Sequence, residues 1–211
     1  MTSGAEFWES RYAGRDQVWS GNPNHALVST ISGLPPGEAL DLGCGEGADS
    51  VWLAEQGWRV AAVDVSATAV ARGRELASRR NVPQGRITWL VEDLSSREPA
   101  TRFDLISACF LHSPIAFPRK DVLRRCASAV APGGHLLVVG HAGPMPWTSP
   151  RFAPHSESEH RFLGPAEQIA ELDLDTAEWE IEVSELQPRR ATGPDGQSVE
   201  IDDAIVLARR R

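Results

Sequence analysis

Three glycines within five residues, Gly43, Gly45 and Gly47, follow the apolar stretch Ala39-Leu40-Asp41-Leu42, and a helical pattern starts at once with Ala48-Asp49-Ser50-Val51. Glycines in such a turn accept tight backbone angles, admit a ligand against bare backbone and let the next helix pack closely on the strand. The chemistry implied is recognition of a nucleotide-like molecule at the carboxyl end of a strand. Gly43-x-Gly45-x-x-Ala48 formally satisfies the dinucleotide fingerprint, and Asp64 falls about 20 residues on, where a ribose-binding acid belongs. The charges at the turn point elsewhere. A pyrophosphate is held at a helix N-terminus by backbone N–H groups and the helix dipole, but here Asp41, Glu46 and Asp49 occupy the same corner and would repel it. A ligand with cationic centres and no phosphate suits the corner better, although acids also favour helix starts for the dipole alone.

Other side chains with chemical capacity lie beyond the turn. His112 follows the apolar run 103–109 and His141 follows Val138-Val139-Gly140, so both sit past the carboxyl edge of a strand, where ligands bind in open α/β sheets. Either could act as a general base or simply as a hydrogen-bonded positioning group. Trp19 lies in an N-terminal stretch rich in aromatics, which either packs an arm onto the core or closes over a cationic or aromatic ligand. His155 and His160 with Glu157 and Glu159 lack any compact ligand spacing, and no metal is expected.

The elements that position these residues alternate. Strands are predicted at 38–42, 59–64, 87–91, 103–109 and 135–139, with helices at 47–56, 66–79 (Ser66 as N-cap) and 120–130 (stopped by Ala131-Pro132-Gly133-Gly134) between them. That rhythm means βαβ units and a parallel sheet covered on both faces. Ahead of it, Phe7-Trp8 and Arg11-Tyr12 share one face of a short helix, Trp19-Ser20-Gly21-Asn22-Pro23 is a turn, and Asn24 is placed to cap a helix reaching Ile31. After it come a long loop over 143–164, a helix over 165–172 entered through Pro165, and alternating stretches at 179–186 and 198–208 around Gly193-Pro194-Asp195-Gly196, a hairpin signal. The expected organisation is a helical cap over 1–34 on one globular unit, 35–211, with 143–164 as a second cap.

At 211 residues, 41% hydrophobic and 24% charged, the chain has the make-up of an ordinary water-soluble domain. A net charge of −8 argues against a nucleic-acid partner. No apolar run approaches the ~20 residues of a membrane span, and no signal peptide is readable. Cys44, Cys109 and Cys126 are too scattered for a disulfide framework. A cytoplasmic monomer or homodimer is expected.

Five α/β units ending in a hairpin, with this glycine turn and Asp64, resemble the class I S-adenosylmethionine-dependent methyltransferases, over about residues 35–211. The stretches Phe7-Trp8-Glu9-Ser10-Arg11-Tyr12 and Trp19-Ser20-Gly21-Asn22-Pro23 are similar to the arm of the small tellurite-resistance and thiopurine-type members. The resemblance implies a doubly wound Rossmann-like α/β fold, a seven-stranded, mostly parallel sheet with an antiparallel C-terminal hairpin. It also implies S-adenosylmethionine as cofactor, S-adenosylhomocysteine as product, and a small-molecule acceptor methylated on S, N, Se, Te or O. Asp41, Gly43, Cys44, Gly45 and Gly47 would then line the donor, and Asp64 would take the ribose hydroxyls. Asp93, with Leu94, would meet the adenine amine, Val65 would flank the ring, Cys109 would lie near the methionine moiety and Trp19 would close over it. Cys109 is not expected to act as a nucleophile, since transfer from a sulfonium needs no covalent intermediate. His112 and His141 are the catalytic candidates. Two alternatives remain open: an NAD(P)-binding short oxidoreductase, against which the lack of a Tyr-x-x-x-Lys pair counts, and a non-catalytic S-adenosylmethionine-binding protein.

Overall fold

The computed structural model describes residues 3–99, 101–144, 162–193 and 195–211. Its elements run α1 (Gly4–Ala13), α2 (His25–Ile31), β1 (Glu38–Leu42), α3 (Ala48–Glu55), β2 (Arg59–Asp64), α4 (Ala67–Arg79), β3 (Ile87–Val91), β4 (Phe103–Cys109), α5 (Arg119–Ala127), β5 (Val130–His141), α6 (Pro165–Leu172), β6 (Trp179–Thr192) and β7 (Ser198–Arg210). The seven strands form one sheet in the order β3-β2-β1-β4-β5-β7-β6. The first five are parallel; β7 pairs antiparallel with both β5 and β6. Strand order reverses between β1 and β4, which makes the carboxyl ends of those two strands the crevice where open α/β sheets bind ligands.

The sheet separates two apolar layers, as a sheet buried on both faces requires. Leu40, Leu42, Ile106, Leu136 and Val138 pack towards α5 and α6, whereas Ala39, Val60, Leu105, Leu137 and Val139 pack towards α2 and α3. The second layer takes in Ala26, Leu27 and Ile31 of α2. This helix is therefore part of the core, while α1 lies over α4 with only Tyr12 buried.

Three local expectations differ from the structure. Helix α5 ends at Ala127, capped by Ser128, and β5 begins at Val130 rather than at 135. Val130 pairs with Phe103, and the next pair is Leu105 with His135, so Pro132 and Gly133 (φ 78°) sit in a bulge, a place where a strand tolerates proline. The hairpin strands run past the expected 186 to Thr192, because β6 is an edge strand and accommodates Pro188. Asn24 occupies the N-cap of α2, but its side chain makes no cap hydrogen bond and turns to Asp49 instead.

Candidate functional site

The turn after β1 is left-handed three times over, with φ of 72°, 52° and 82° at Gly43, Gly45 and Gly47. The N–H groups of Gly43 and Cys44 both donate to the Val63 carbonyl (2.8 and 2.9 Å), which ties the turn to β2. The third glycine answers to packing as much as to ligand approach. A Cβ on Gly47 would stand 2.5 Å from the Trp89 ring and 2.9 Å from the Gly73 Cα, so β3, α3 and α4 meet in a notch that only glycines leave open. Neither Trp89 nor Gly73 is marked by any sequence motif.

The turn's acids are engaged by the protein itself. Glu46 accepts the Val18 N–H (3.1 Å) and the Trp19 N–H (2.9 Å) and pairs with Arg72 Nη1 at 2.8 Å. Arg72 also donates to the carbonyls of Tyr12 and Arg15. Asp49 accepts both the backbone N–H and the side-chain amide of Asn24, each at 2.7 Å. On α1, Glu9 accepts from the Ser66 hydroxyl at 2.7 Å and from the N–H and hydroxyl of Thr68. Four side chains thus fasten residues 9–24 across the glycine turn and the start of α4. Trp19, 48% exposed, donates its indole N–H to the Tyr12 hydroxyl at 2.9 Å and lies close over Gly45, but Arg11 already stands 5.7 Å from the ring centre. Burial first, with Asp64 second, holds the Tyr12 phenol well above its ordinary range.

Asp41 lies beneath the turn, accepting from Ser50 Oγ at 2.6 Å and Ser107 Oγ at 3.2 Å. Burial, reinforced by Asp49, raises its carboxyl to about 7 from an ordinary 3.8, against the pull of the two hydroxyls. Between those values the folded protein holds a proton that the unfolded chain releases, so the stability this group contributes is full below pH ~4 and is lost as pH rises through ~7. Asp49 and Asp64 are raised too, mainly by burial. In Asp41→Asn, the fall of melting temperature between pH 4 and pH 7 should become shallower than in the parent; an unchanged slope would mean that Asp41 is ionised in the folded state.

Asp64 ends β2 with its carboxylate inside the turn. Oδ2 accepts the Gly45 N–H and Oδ1 the Ser66 N–H, both at 2.9 Å. Val65, next to it, is half-buried. Asp93, past β3, is exposed and accepts the Ser95 N–H at 2.8 Å, while the Leu94 side chain points into the core. Cys44 and Cys109 are half-buried thiols, and burial, with Asp64 near the first and Asp49 near the second, pushes each well up from its ordinary range. Neither is poised as a thiolate.

The two histidines come together at the rim of β4 and β5. Their rings stack at 6.0 Å, and Phe110 lies 4.4 Å from His141 on the other contact. Phe110 is held at φ 54°, an unusual conformation for an aromatic residue, by its N–H bond to the Val139 carbonyl at 2.8 Å. Gly140 permits the approach, since a Cβ there would stand 3.2 Å from His112 Nε2. Two residues of the hairpin complete the group: Asp203, whose Oδ1 is 3.6 Å from His141 Nδ1, and Arg189, whose Nε is 2.5 Å from Asp203 Oδ2. Sequence reasoning missed both. The one available signal was an acid, Asp203, leading directly into the apolar run Ala204-Ile205-Val206-Leu207. Beside His112 a cavity of about 410 Å³ is lined by Ile115, Phe117, Arg119, Lys120 and Glu171, a size that suits a small molecule. His155 and His160 lie outside the described residues. Among the described residues, no group of His, Cys, Asp or Glu side chains is arranged to hold a metal ion, and no helix is long and apolar enough to cross a membrane.

Residues 40–136 match the family model described as a methyltransferase domain. The chain is 29% identical over 148 residues to the 2-heptyl-1-hydroxyquinolin-4(1H)-one methyltransferase of Mycobacteroides abscessus, covering 64% of this chain and 63% of that protein. It is 31% identical over 137 residues to a probable thiol methyltransferase of Arabidopsis thaliana, covering 63% and 60% respectively. The chain thus spans about three fifths of the length of these two relatives. Among solved structures, TehB from Haemophilus influenzae superposes with a TM-score of 0.70 at 19% identity, covering 97% of this chain and 67% of that one. The N-methyltransferase NodS from Bradyrhizobium japonicum, solved with S-adenosylhomocysteine, gives 0.67 at 19% identity with 99% of both chains covered. The fold is that of the class I methyltransferases.

Proposed function

We propose that this chain, with a methyltransferase domain at residues 40–136 on the class I methyltransferase fold, transfers a methyl group from S-adenosylmethionine to a small-molecule nucleophile. The observation that carries the reading is the donor set at the glycine turn: carboxylate oxygens and backbone amides, with the nearby Arg72 tied to Glu46 and to two carbonyls. A pyrophosphate would meet carboxylates there. A nucleoside with free hydroxyls and a cationic tail meets acceptors, and the group fits.

When bound, S-adenosylmethionine supplies an electrophilic methyl on a sulfonium. Asp64 takes the ribose hydroxyls, Asp93 with the Leu94 amide takes the adenine amine, and Val65 flanks the ring. Gly43, Cys44, Gly45 and Gly47, with Asp41 behind them and Cys109 at the end of β4, hold the methionine end. Within the expected cap of residues 1–34, α2 is seated in the core of the unit 35–211, and the arm ahead of it seats Trp19 over the turn and excludes water. The acceptor enters beside His112 and His141. Most of the rate enhancement comes from holding the nucleophile and the methyl in line, and the two histidines are the candidates to accept a proton where the nucleophile carries one. The relatives' names, one a hydroxyquinolone methyltransferase and the other a thiol methyltransferase, support a small acceptor. The net charge of −8 supports neither a nucleic-acid nor an anionic-membrane partner. We read the protein as acting in the cytoplasm, as a monomer or homodimer.

Titration calorimetry with S-adenosylhomocysteine and, separately, with NADH tests the reading. Binding of the first alone is expected; binding of NADH alone would replace it with the oxidoreductase. Methyl turnover against thiols, amines and phenols separates an enzyme from a protein that only binds the cofactor.

A further inference from the structure

We infer that Asp203, fixed by Arg189, orients His141 as the proton acceptor of this site, and that the methyl acceptor is a protic oxygen nucleophile, a phenol or N-hydroxy group. The inference rests on the methyltransferase reading above and deepens it.

His141 is the last residue of β5 and pairs in register with Asp203 on β7, so the two side chains project from the same face of the sheet. Asp203 is 2% exposed. A carboxylate buried in a strand is costly unless paired and hydrogen-bonded, and Arg189 satisfies only Oδ2, at 2.5 Å. Oδ1 has no hydrogen-bond partner among the described residues, and neither has the buried His141 Nδ1 that stands 3.6 Å from it. An unfilled acceptor thus faces an unfilled ring nitrogen just beyond hydrogen-bond distance, the looseness common to catalytic pairs before ligand closes the site. The imidazole is held on its faces as well, by Phe110 and by the stacked His112. Arg189 in turn lies 5.5 Å from the Phe110 ring centre, so Phe110 bridges the two ends of the relay. Among the described residues, Cys109 on β4 is a further ionisable group nearby, hydrogen-bonded to Asp49 and within the field of Asp203.

With Nδ1–H turned to Asp203, the lone pair of His141 lies on Nε2. As the acceptor oxygen bonds to the methyl carbon, Nε2 takes the hydroxyl proton and the carbon–sulfur electron pair stays on sulfur. The imidazolium so formed rests against Asp203 until it releases the proton to water.

The test uses the full chain labelled with ¹⁵N-histidine and reads the tautomer of His141 from long-range ¹⁵N–¹H correlations. The parent should show the Nδ1–H form. Asp203→Val should revert to the Nε2–H form that free histidine prefers, and Arg189→Met, which leaves the carboxylate in place, should keep Nδ1–H. The Nε2–H form in the parent overturns the inference, and this spectrum decides it even where Asp203→Val fails to fold. In turnover, His141→Gln should slow methylation of a phenol by about 100-fold and that of thiophenol, already ionised at neutral pH, far less; equal slowing of both also overturns it. Calorimetry with S-adenosylhomocysteine is run on the same samples. Loss of binding by the parent strikes the methyltransferase reading, whereas a wrong tautomer with binding intact strikes only this relay.

Discussion

Replacing Asp64 by alanine should weaken S-adenosylhomocysteine binding by about 1.5–3 kcal/mol, the range of hydrogen bonds to a charged group, or roughly 10- to 150-fold in Kd. The carboxylate already accepts one backbone N–H on each oxygen, from Gly45 and from Ser66. An ionised carboxylate has about four acceptor positions, so capacity remains on both oxygens for a pair of ribose hydroxyls. The same geometry gives Asp64 a second task, because it sets the Gly45 amide and hence the shape of the turn. Alanine removes both contributions; Asp64→Asn keeps one carbonyl oxygen and should lie between alanine and the parent. Calorimetry is carried out at a temperature where circular dichroism shows each variant folded, which separates affinity from stability. Unchanged affinity in a folded Asp64→Ala protein would reduce the residue to a brace for the loop and remove the ribose assignment.

The sheet was legible because its signals are local and redundant. Strands β1 to β3 each combine a short apolar run with a glycine or acid at the carboxyl end, β4 is an apolar run that closes before His112, and the bounds of all four follow from that pattern. Ser66 reads as an N-cap and its hydroxyl accepts the Ala69 N–H at 3.1 Å. The errors arose where proline or glycine reads as a break in one dimension but is absorbed in three. Pro132 sits in a bulge and Pro188 on an edge strand, both decided by partners distant in sequence.

The site was legible in composition but not in connection. Asp41, Glu46 and Asp49 were visible as an acidic corner, yet nothing local tells that Glu46 and Asp49 are taken up by amides of residues 18–24. The corner's chemistry is therefore shared between a ligand and the arm that covers it. Likewise His112 and His141 were visible as rim residues. Asp203 and Arg189 reach them only through the antiparallel pairing of β7 with β5 and β6, more than 40 residues away along the chain. A hairpin's register cannot be read from its residue types, because a shift of one residue would turn Asp203 to the opposite face.

Glu46→Ala separates the two readings of that corner. If Glu46 serves chiefly to neutralise a cationic ligand, the substitution should lower affinity and leave the empty protein unchanged. The geometry requires more. Glu46 is the acceptor for two amides of the arm and the partner of Arg72, and the pair is largely buried, with side-chain exposures of 8% and 22%. Removing one partner leaves the amides of Val18 and Trp19 and one guanidinium nitrogen without their acceptor, a loss of about 2–4 kcal/mol. In a domain of this size that corresponds to roughly 4–16 °C in melting temperature. The arm should loosen first, since α1 buries only Tyr12 whereas α2 remains seated in the core through Leu27 and Ile31. Trypsin should then cut after Arg15 well before it attacks the sheet, and S-adenosylhomocysteine should slow that cleavage by drawing Trp19 back over the turn. Glu46→Gln, which retains an acceptor for the amides but not the charge for Arg72, should lose less stability and resist trypsin longer. A Glu46→Ala protein with the parent's melting temperature and an uncut arm would return the acid to the role of ligand neutralisation alone.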